Sequence, residues 1–176
     1  MKKIIAFSRL PQWKQRMEIA KDVILQIKAK KFVAEEGIYL NIWTTDKGEQ
    51  REGLFSMQAN KAIKEKLATC NVCAKGALFM SHIMKTNHCT VNELKHKRER
   101  NYIERLKMFS QGQLDTIECA FEKSAIYDRE NILTGYDGNY TPLGLRAKEF
   151  STSSDDNIRL IKIMNNIIKN KGTFKP

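Results

Sequence analysis

The sequence predicts one mainly α-helical domain of the α+β class, in which about six helices pack around a central buried helix beside a small antiparallel β-hairpin. Two patterns support this fold class. Apolar residues recur at helical spacing along most of the chain, and one short window alternates as a strand does. A chain of 176 residues, with 41% hydrophobic and 29% charged residues, can bury a core within a single domain. We therefore expect residues 1–176 to form one α-rich domain.

The window CNVCAKGALFMSHIM, which begins at Cys70, predicts the central helix. Apolar side chains occupy most of its helical circumference, and Lys75 and His82 share its one clearly polar edge. Glycine inside a helix costs about 1 kcal/mol relative to alanine. Gly76 therefore predicts that a neighbouring backbone approaches this helix closely.

Apolar stripes and capping residues predict the other helices. The first begins near Pro11 and extends to about Lys31, and another covers about residues 91–109. Thr90 and Ser110 are each followed, three residues later, by Glu or Gln, which is the spacing of a capping box. The predicted first-turn or capping residues are Pro11, Ser56, Asn71 for the central helix at Val72–Met84, Thr90, Ser110, and Ser153 or Ser154 for the last helix.

One segment predicts β structure. GIYLNIWTT, at residues 37–45, is rich in β-branched and aromatic residues that alternate between two faces. Residues 53–56 can return as a second short strand after a turn at residues 45–48, which would complete an antiparallel hairpin. TGYDGNYTP, at residues 134–142, predicts the longest loop.

The charge of the chain favours polyanionic partners. Lys and Arg number 31 against 20 Asp and Glu, so the net charge is +11. Such a field favours nucleic acid or an acidic protein, although a surface that serves solubility alone is the alternative. The apolar run near the amino terminus is too short for a signal peptide or a membrane span, so we expect a cytoplasmic protein with reduced cysteines and no membrane partner.

The densest basic run is KHKRERNYIERLK, at residues 95–107, within the helix predicted at about residues 91–109. On the helical wheel three of its cations lie opposite the apolar residues while Lys95 and Arg98 lie on the apolar side, and one aromatic side chain in the run is compatible with stacking on bases. A solvated helix face is the alternative interpretation. The candidate partner-binding residues are Lys95, Lys97, Arg98, Arg100, Tyr102, Arg105 and Lys107.

Cysteine spacing raises a zinc alternative. Cys70 and Cys73, with His88 and Cys89 further along, have the composition of two ligand pairs. A helix from Cys73 to about Thr86 would be roughly 20 Å long, whereas the ligands of one zinc ion lie within about 4 Å of each other. We therefore expect no metal site and no cofactor.

Cys73 also raises a catalytic alternative, because a thiol near a helix N-terminus can have a lowered pKa and act as a nucleophile. The sequence shows no general base beside Cys73. His82 lies on the opposite side of the same helix, and His88 and His96 can approach Cys73 only if the chain folds back. We predict no catalytic residue. A thiol-dependent enzyme or a zinc-stabilised protein that uses Cys70 and Cys73 is kept as the alternative.

The core motif CAKGAL, at residues 73–78, resembles the C-A-x-G-A-L signature of small uncharacterised proteins from phages and prophage-like elements. The tail RLIKIMNNIIKNKGTFKP, at residues 159–176, is similar to theirs as well. This resemblance implies a mobile-element setting, with the host cytoplasm as the location, and no catalytic residue. The leading functional hypothesis is a non-catalytic accessory protein of phage type that binds nucleic acid or an acidic host protein through its basic helical surface.

Overall fold

The computed structural model of the chain describes residues 6–44, 56–95, 105–122, 133, 139–150 and 152–176. In these residues it contains a short 3₁₀ helix at Phe7–Arg9, seven α-helices and three strands, so the predicted mainly helical fold with a small sheet is confirmed. The elements are α1 Gln12–Lys28, β1 Phe32–Ala34, β2 Leu40–Thr44, α2 Ala59–Lys64, β3 Ala68–Val72, α3 Ala74–Thr86, α4 Val91–Lys95, α5 Gln111–Phe121, α6 Pro142–Phe150 and α7 Asp156–Lys169.

The three strands form one mixed sheet in the order β1, β3, β2. β1 runs parallel to β3 with Phe32 opposite Cys70, and β2 runs antiparallel to β3 with Trp43 opposite Thr69. The described strands are therefore not the predicted antiparallel hairpin, because β2 pairs with β3, the segment just before α3, and β3 also pairs in parallel with β1. Residues 45–55, which hold the predicted turn and most of that second strand, lie outside the described residues.

The window that predicted the central helix is divided between β3 and α3. Residues Ala68, Cys70 and Val72 are buried while the two residues between them are partly exposed, which is the alternation of a strand. α3 begins at Ala74, with Cys73 and not Asn71 as its N-cap. Ten of the thirteen residues of α3 are buried, and the helix contacts α1, α2, α5, β1 and β3.

Gly76 lies where another backbone crosses α3. A Cβ atom built on Gly76 would overlap the carbonyl oxygen of Tyr39, so the predicted close approach is confirmed. Nearby, the backbone N–H of Cys73 donates to the carbonyl of Ile38 at 2.5 Å. The segment that leads into β2 therefore covers the first turn of α3.

Both predicted capping boxes are confirmed. The backbone N–H of Thr90 donates to Oε2 of Glu93 at 2.7 Å, and the backbone N–H of Glu93 donates to Oγ1 of Thr90 at 3.2 Å. The backbone N–H of Gln113 donates to Oγ of Ser110 at 3.2 Å, and the Gln113 side chain accepts from the Ser110 backbone at 3.4 Å. These hydrogen bonds cap the N-termini of α4 and α5.

Several predicted helix ends are wrong. Gln58, and not Ser56, precedes α2, and Asp155 is the N-cap of α7 through a 3.0 Å bond that its side chain accepts from the backbone of Ile158. Pro142, which was predicted to lie in a loop, begins α6, because proline is tolerated in a first helical turn. The helix predicted at about residues 91–109 does not reach its predicted end, since residues 105–110 form turns.

Helix α1 connects the sheet with a second region of the molecule, around Met108 and Gly172. Near its start, the guanidinium of Arg16 donates to the carbonyls of Met108 and Gly172, both at 2.6 Å. Its end at Lys28 leads into β1 at the sheet. Since α1 has 17 residues, these two ends lie about 25 Å apart.

Candidate functional site

Two helix-to-strand turns bring lysines together at one edge of the sheet. The turn at residues 28–31 joins α1 to β1, and the turn at residues 64–67 joins α2 to β3. Because β1 and β3 are parallel, both turns lie at the amino ends of the strands. The Nζ of Lys31 lies 3.5 Å from the carbonyl oxygen of Lys64, which connects the two turns. We call this set of residues the lysine edge: Lys28, Lys30, Lys31, Lys64 and Lys66.

The lysine edge faces solvent. Lys31 is half-buried and the other four side chains are exposed. Glu65 is the one acidic residue in the two turns, so their net charge is strongly positive. A concentration of like charge at one place raises the local potential and attracts polyanions.

Lys30 and Lys66 have left-handed backbone conformations, with φ of 56° and 60°. Each lysine follows the end of its helix, which is closed by the hydrogen bonds of a Schellman motif. At the end of α1, the N–H of Lys30 donates to the carbonyl of Ile27 and the N–H of Lys31 donates to the carbonyl of Gln26, both at 2.9 Å. Glycine is the residue usually favoured at this position, because a Cβ atom is strained there. Both turns of the lysine edge therefore carry lysine where glycine would fit with less strain.

The sheet has one buried and one open face. Val33 is 41% exposed and Trp43 is 55% exposed, whereas Phe32, Cys70 and Ile42 on the other face are buried. Trp43 lies opposite Thr69 in the register, and Lys31 is level with Thr69 on the far side of β3. Lys31 directly precedes β1, its carbonyl accepts from the backbone N–H of Cys70 at 2.9 Å, and its Nζ lies at the carbonyl of Lys64. Trp43 and Thr69 thus lie in one row of the open face, and Lys31 continues this row at the lysine edge.

The opposite edge of the sheet is acidic. Oε2 of Glu35, which follows β1, accepts from the amide of Asn71 at 2.5 Å. The backbone N–H of Glu36 donates to Oδ2 of Asp156 at 2.9 Å, and the fully buried Arg159 bonds Asp156 at 2.7 Å. A polyanion on the open face is therefore attracted to one edge and repelled from the other.

The residues predicted to bind a partner are not part of the lysine edge. Arg105 is half-buried and its guanidinium donates to Sγ of Cys89 at 2.7 Å, which gives it a structural contact. Lys107 is exposed, but it precedes Met108, whose carbonyl is bound near the start of α1 and therefore away from the lysine edge. Lys95 is the last residue of α4, and the described structure includes its backbone alone. The other predicted residues, Lys97, Arg98, Arg100 and Tyr102, lie outside the described residues.

The lysine edge was not predicted, although a signal was present in the sequence. KAKK at residues 28–31 and KEK at residues 64–66 each begin at the last residue of a helix. Each run read alone has the appearance of a solvated helix end. The parallel pairing of β1 with β3, which brings the runs together, has no local signature in the sequence.

The cysteines do not have the properties of a reactive site. Burial raises the pKa of Cys70 to about 12. It also raises the pKa of Cys73 to about 12, and the nearby carboxylates of Glu122 and Glu118 add to this effect. The lowered pKa considered for Cys73 is therefore wrong, since these effects exceed that of the helix N-terminus. Within the part of the chain that the structure describes, no three His, Cys, Asp or Glu residues are grouped so as to hold a metal ion.

A buried ionic network lies next to Cys73. The ammonium of Lys75 is 2.9 Å from Oδ1 of Asp115 and 2.5 Å from Oε2 of Glu118. Burial alone would lower the pKa of Lys75, but the charges and hydrogen bonds of these two carboxylates raise it above its usual value. Lys75 was predicted to lie on the polar edge of its helix, whereas it is 4% exposed and joins α3 to α5. The arrangement is that of a structural contact between helices.

No protein-family profile, curated protein or solved structure matches this chain. The resemblance of CAKGAL to phage and prophage proteins therefore stays a prediction. Among the helices that the structure describes, none combines the length and apolar character needed to cross a membrane.

Proposed function

We propose that this protein is a non-catalytic binding protein that engages nucleic acid through the lysine edge. The observation that carries the proposal is the convergence of Lys28, Lys30 and Lys31 with Lys64 and Lys66 from separate turns. The net charge of +11 adds a long-range attraction for the same class of partner. An accessory role in a phage or prophage is compatible with this activity and with the resemblance of CAKGAL.

Nucleic acid fits the lysine edge better than an acidic protein does. All five cations are lysines, whose compact charges contact phosphates as point charges and need no paired geometry. A phosphate backbone offers a regular series of charges to such an edge, and neutralising them releases condensed counterions. An acidic protein surface would have to place several carboxylates at matching positions.

The basic run at residues 95–107 is proposed as a second contact. Lys107 is exposed and is compatible with this role, whereas Arg105 is engaged with Cys89. Arg98→Glu combined with Arg100→Glu tests the contribution of the run. Unchanged affinity for nucleic acid in that variant would restrict the proposal to the lysine edge.

The test is binding of labelled random-sequence DNA and RNA, both single-stranded and duplex, measured by fluorescence anisotropy between about 50 and 200 mM salt. Five phosphate contacts on a single strand give a slope of log affinity against log salt of about −3.5, which is roughly a 100-fold loss over this range. Lys28→Glu combined with Lys64→Glu should reduce the size of that slope by about 1.4. Absence of binding at about 50 mM salt would refute the proposal.

The matched control is Lys169→Glu combined with Lys175→Glu. Both side chains are exposed, the net charge changes by the same amount, and Lys169 ends α7 as Lys28 ends α1. These residues lie near Gly172, which packs against Trp13 at the start of α1 and away from the lysine edge. We expect an unchanged slope. An equal loss in both variants would mean that total charge, and not the lysine edge, determines binding.

A further inference from the structure

We infer that the nucleic acid is single-stranded and that one of its bases stacks on Trp43 in the open sheet face. The inference rests on the proposed function and names the substrate class of the same surface. It is carried by the position of an exposed indole in one row with Thr69 and Lys31, beside the lysine edge.

Trp43 is exposed to a degree that core packing does not explain. It is 55% exposed, whereas Ile42, the preceding residue of β2, is 7% exposed and packs in the core. Large aromatic side chains on an open sheet face are how several RNA- and DNA-binding domains stack unpaired bases. The second tryptophan, Trp13, is remote from the sheet because it lies at the start of α1. Its ring is covered by Lys14, whose Nζ is 5.2 Å from the ring centroid.

The spacing of the row suits a nucleotide. Adjacent strands lie about 4.8 Å apart, so the backbones of β1 and β2 are separated by about 10 Å across β3. A base stacked on Trp43 then has its phosphate within reach of the long Lys31 side chain. Asn41 and Asn71 form the next row with Val33; the exposed Asn41 amide can meet a base edge on this face, whereas the Asn71 amide donates to Glu35.

A duplex cannot use this face in the same way. Its bases are stacked on each other, so the indole could contact one only after the base was unstacked. The lysine edge attracts the phosphates of either form, and Trp43 adds affinity for unpaired bases alone. An acidic protein would engage the lysines without a base to stack on Trp43.

The first experiment uses the full chain with Trp13→Phe, which leaves Trp43 as the sole tryptophan because the sequence contains 2. Titration with oligodeoxythymidine should quench the tryptophan emission as the base stacks. An abasic oligomer of the same length and charge should bind through its phosphates without that quenching. Equal emission changes with both oligomers would overturn the inference, and this comparison does not depend on a substitution at Trp43.

The second experiment measures affinities of Trp43→Ala for a single strand and for a duplex of equal length. We expect the affinity for the single strand to fall roughly 10- to 100-fold, as when a base-stacking aromatic side chain is removed, and that for the duplex to stay within about twofold. Trp13→Ala is the matched control and should change neither. Similar losses for both forms, or no loss, would overturn the inference.

Failure of the inference and failure of the proposed function give different results. If Trp43→Ala binds single strands as the wild type does while Lys28→Glu with Lys64→Glu weakens binding, the lysine edge is retained as the contact and the stacking is rejected. If the wild type binds no nucleic acid at about 50 mM salt, both are rejected, and an acidic protein becomes the partner to test.

Discussion

The ammonium of Lys75 and the carboxylate of Asp115 form a buried ion pair, with 2.9 Å between Nζ and Oδ1. Lys75 belongs to the first turn of α3 and Asp115 to α5, so the pair fixes how these helices meet. The amide of Gln111 also donates to Oδ1 of Asp115 at 2.8 Å. Together with the contact of Lys75 to Glu118, the pair specifies one arrangement of these two helices, because ionic contacts are more directional than apolar packing.

Replacement of Lys75 by methionine should destabilise the fold strongly. The variant leaves Asp115 and Glu118 without their cation, and removing one partner of a buried ion pair typically costs about 3–5 kcal/mol of unfolding free energy. Lys75→Met combined with Asp115→Leu should recover part of this loss, since apolar residues replace the deeply buried pair, while the carboxylate of Glu118, 19% exposed, stays in contact with water. Urea denaturation measures both.

The matched control for Lys75→Met is Lys85→Met, at a half-buried position of the same helix. Its unfolding free energy should change by less than about 0.5 kcal/mol. A double variant no more stable than Lys75→Met would show that the ion pair is not the source of the loss.

Local features of the fold could be predicted from the sequence. Both capping boxes, at Thr90 and Ser110, depend on residues three positions apart, so their signature is complete within one turn of chain. The strand at Ala68–Val72 was missed because its alternation runs directly into an apolar helix, and the combined window has the length of a helix. Three-residue β1 is too short for any periodicity to show.

Alanine at Gly76 should disrupt the contact between α3 and the segment before β2. The new Cβ would overlap the carbonyl oxygen of Tyr39, which is backbone and cannot move aside alone. We expect a loss of about 3 kcal/mol or more in unfolding free energy, in spite of the better helix propensity of alanine. Thermal and urea denaturation followed by circular dichroism measure it.

Gly37→Ala is the comparison for Gly76→Ala. Gly37 has φ of 77° with nothing within 4 Å of a built Cβ, so alanine there suffers conformational strain without overlap. The expected loss is about 1–2 kcal/mol. Equal losses at the two glycines would contradict the argument that backbone overlap dominates at Gly76.

The contribution of Glu122 to stability should fall as pH rises toward neutrality. Burial raises the pKa of Glu122 from 4.5 to about 7. The backbone N–H of Gly37, which donates to the carboxylate at 2.9 Å, opposes this rise, and so does the charge of Arg159. The negative charges of Glu118 and Glu36 add to it. The folded state therefore binds more protons than the unfolded state between these two pH values. This contribution of Glu122 is lost progressively from about pH 4.5 to pH 7 and then levels off.

Glu122→Gln isolates this titration. The glutamine keeps an acceptor for the N–H of Gly37 and carries no charge. It should match the wild type near pH 4 and exceed it by up to about 3 kcal/mol at pH 8. Urea midpoints of both proteins across this range provide the measurement. A stability difference that does not vary with pH would contradict the role assigned to the carboxyl group.

The candidate site was harder to predict than the helices because its residues are brought together by a long-range pairing. Lys31 and Lys64 are 33 positions apart and meet through the parallel alignment of β1 and β3. The predicted basic run at residues 95–107 was instead contiguous, which made it conspicuous in the sequence. Trp43 was correctly assigned to a strand, but which face of the sheet stays open depends on where the helices pack.

Glycine at Lys30 should stabilise the protein and weaken its binding to nucleic acid. The left-handed conformation, with φ of 56°, strains a residue with a Cβ atom, so Lys30→Gly should add about 1 kcal/mol to the unfolding free energy. The same change removes one phosphate contact and should reduce the size of the slope of log affinity against log salt by about 0.7 to 0.9.

Lys171→Gly is a close control, since Lys171 is also exposed, has φ of 52° and ends α7 with the same motif. It should gain stability and keep the full slope. If both variants lost binding equally, the lysine edge would not be the contact; if Lys30→Gly kept the full slope, Lys30 would make no phosphate contact.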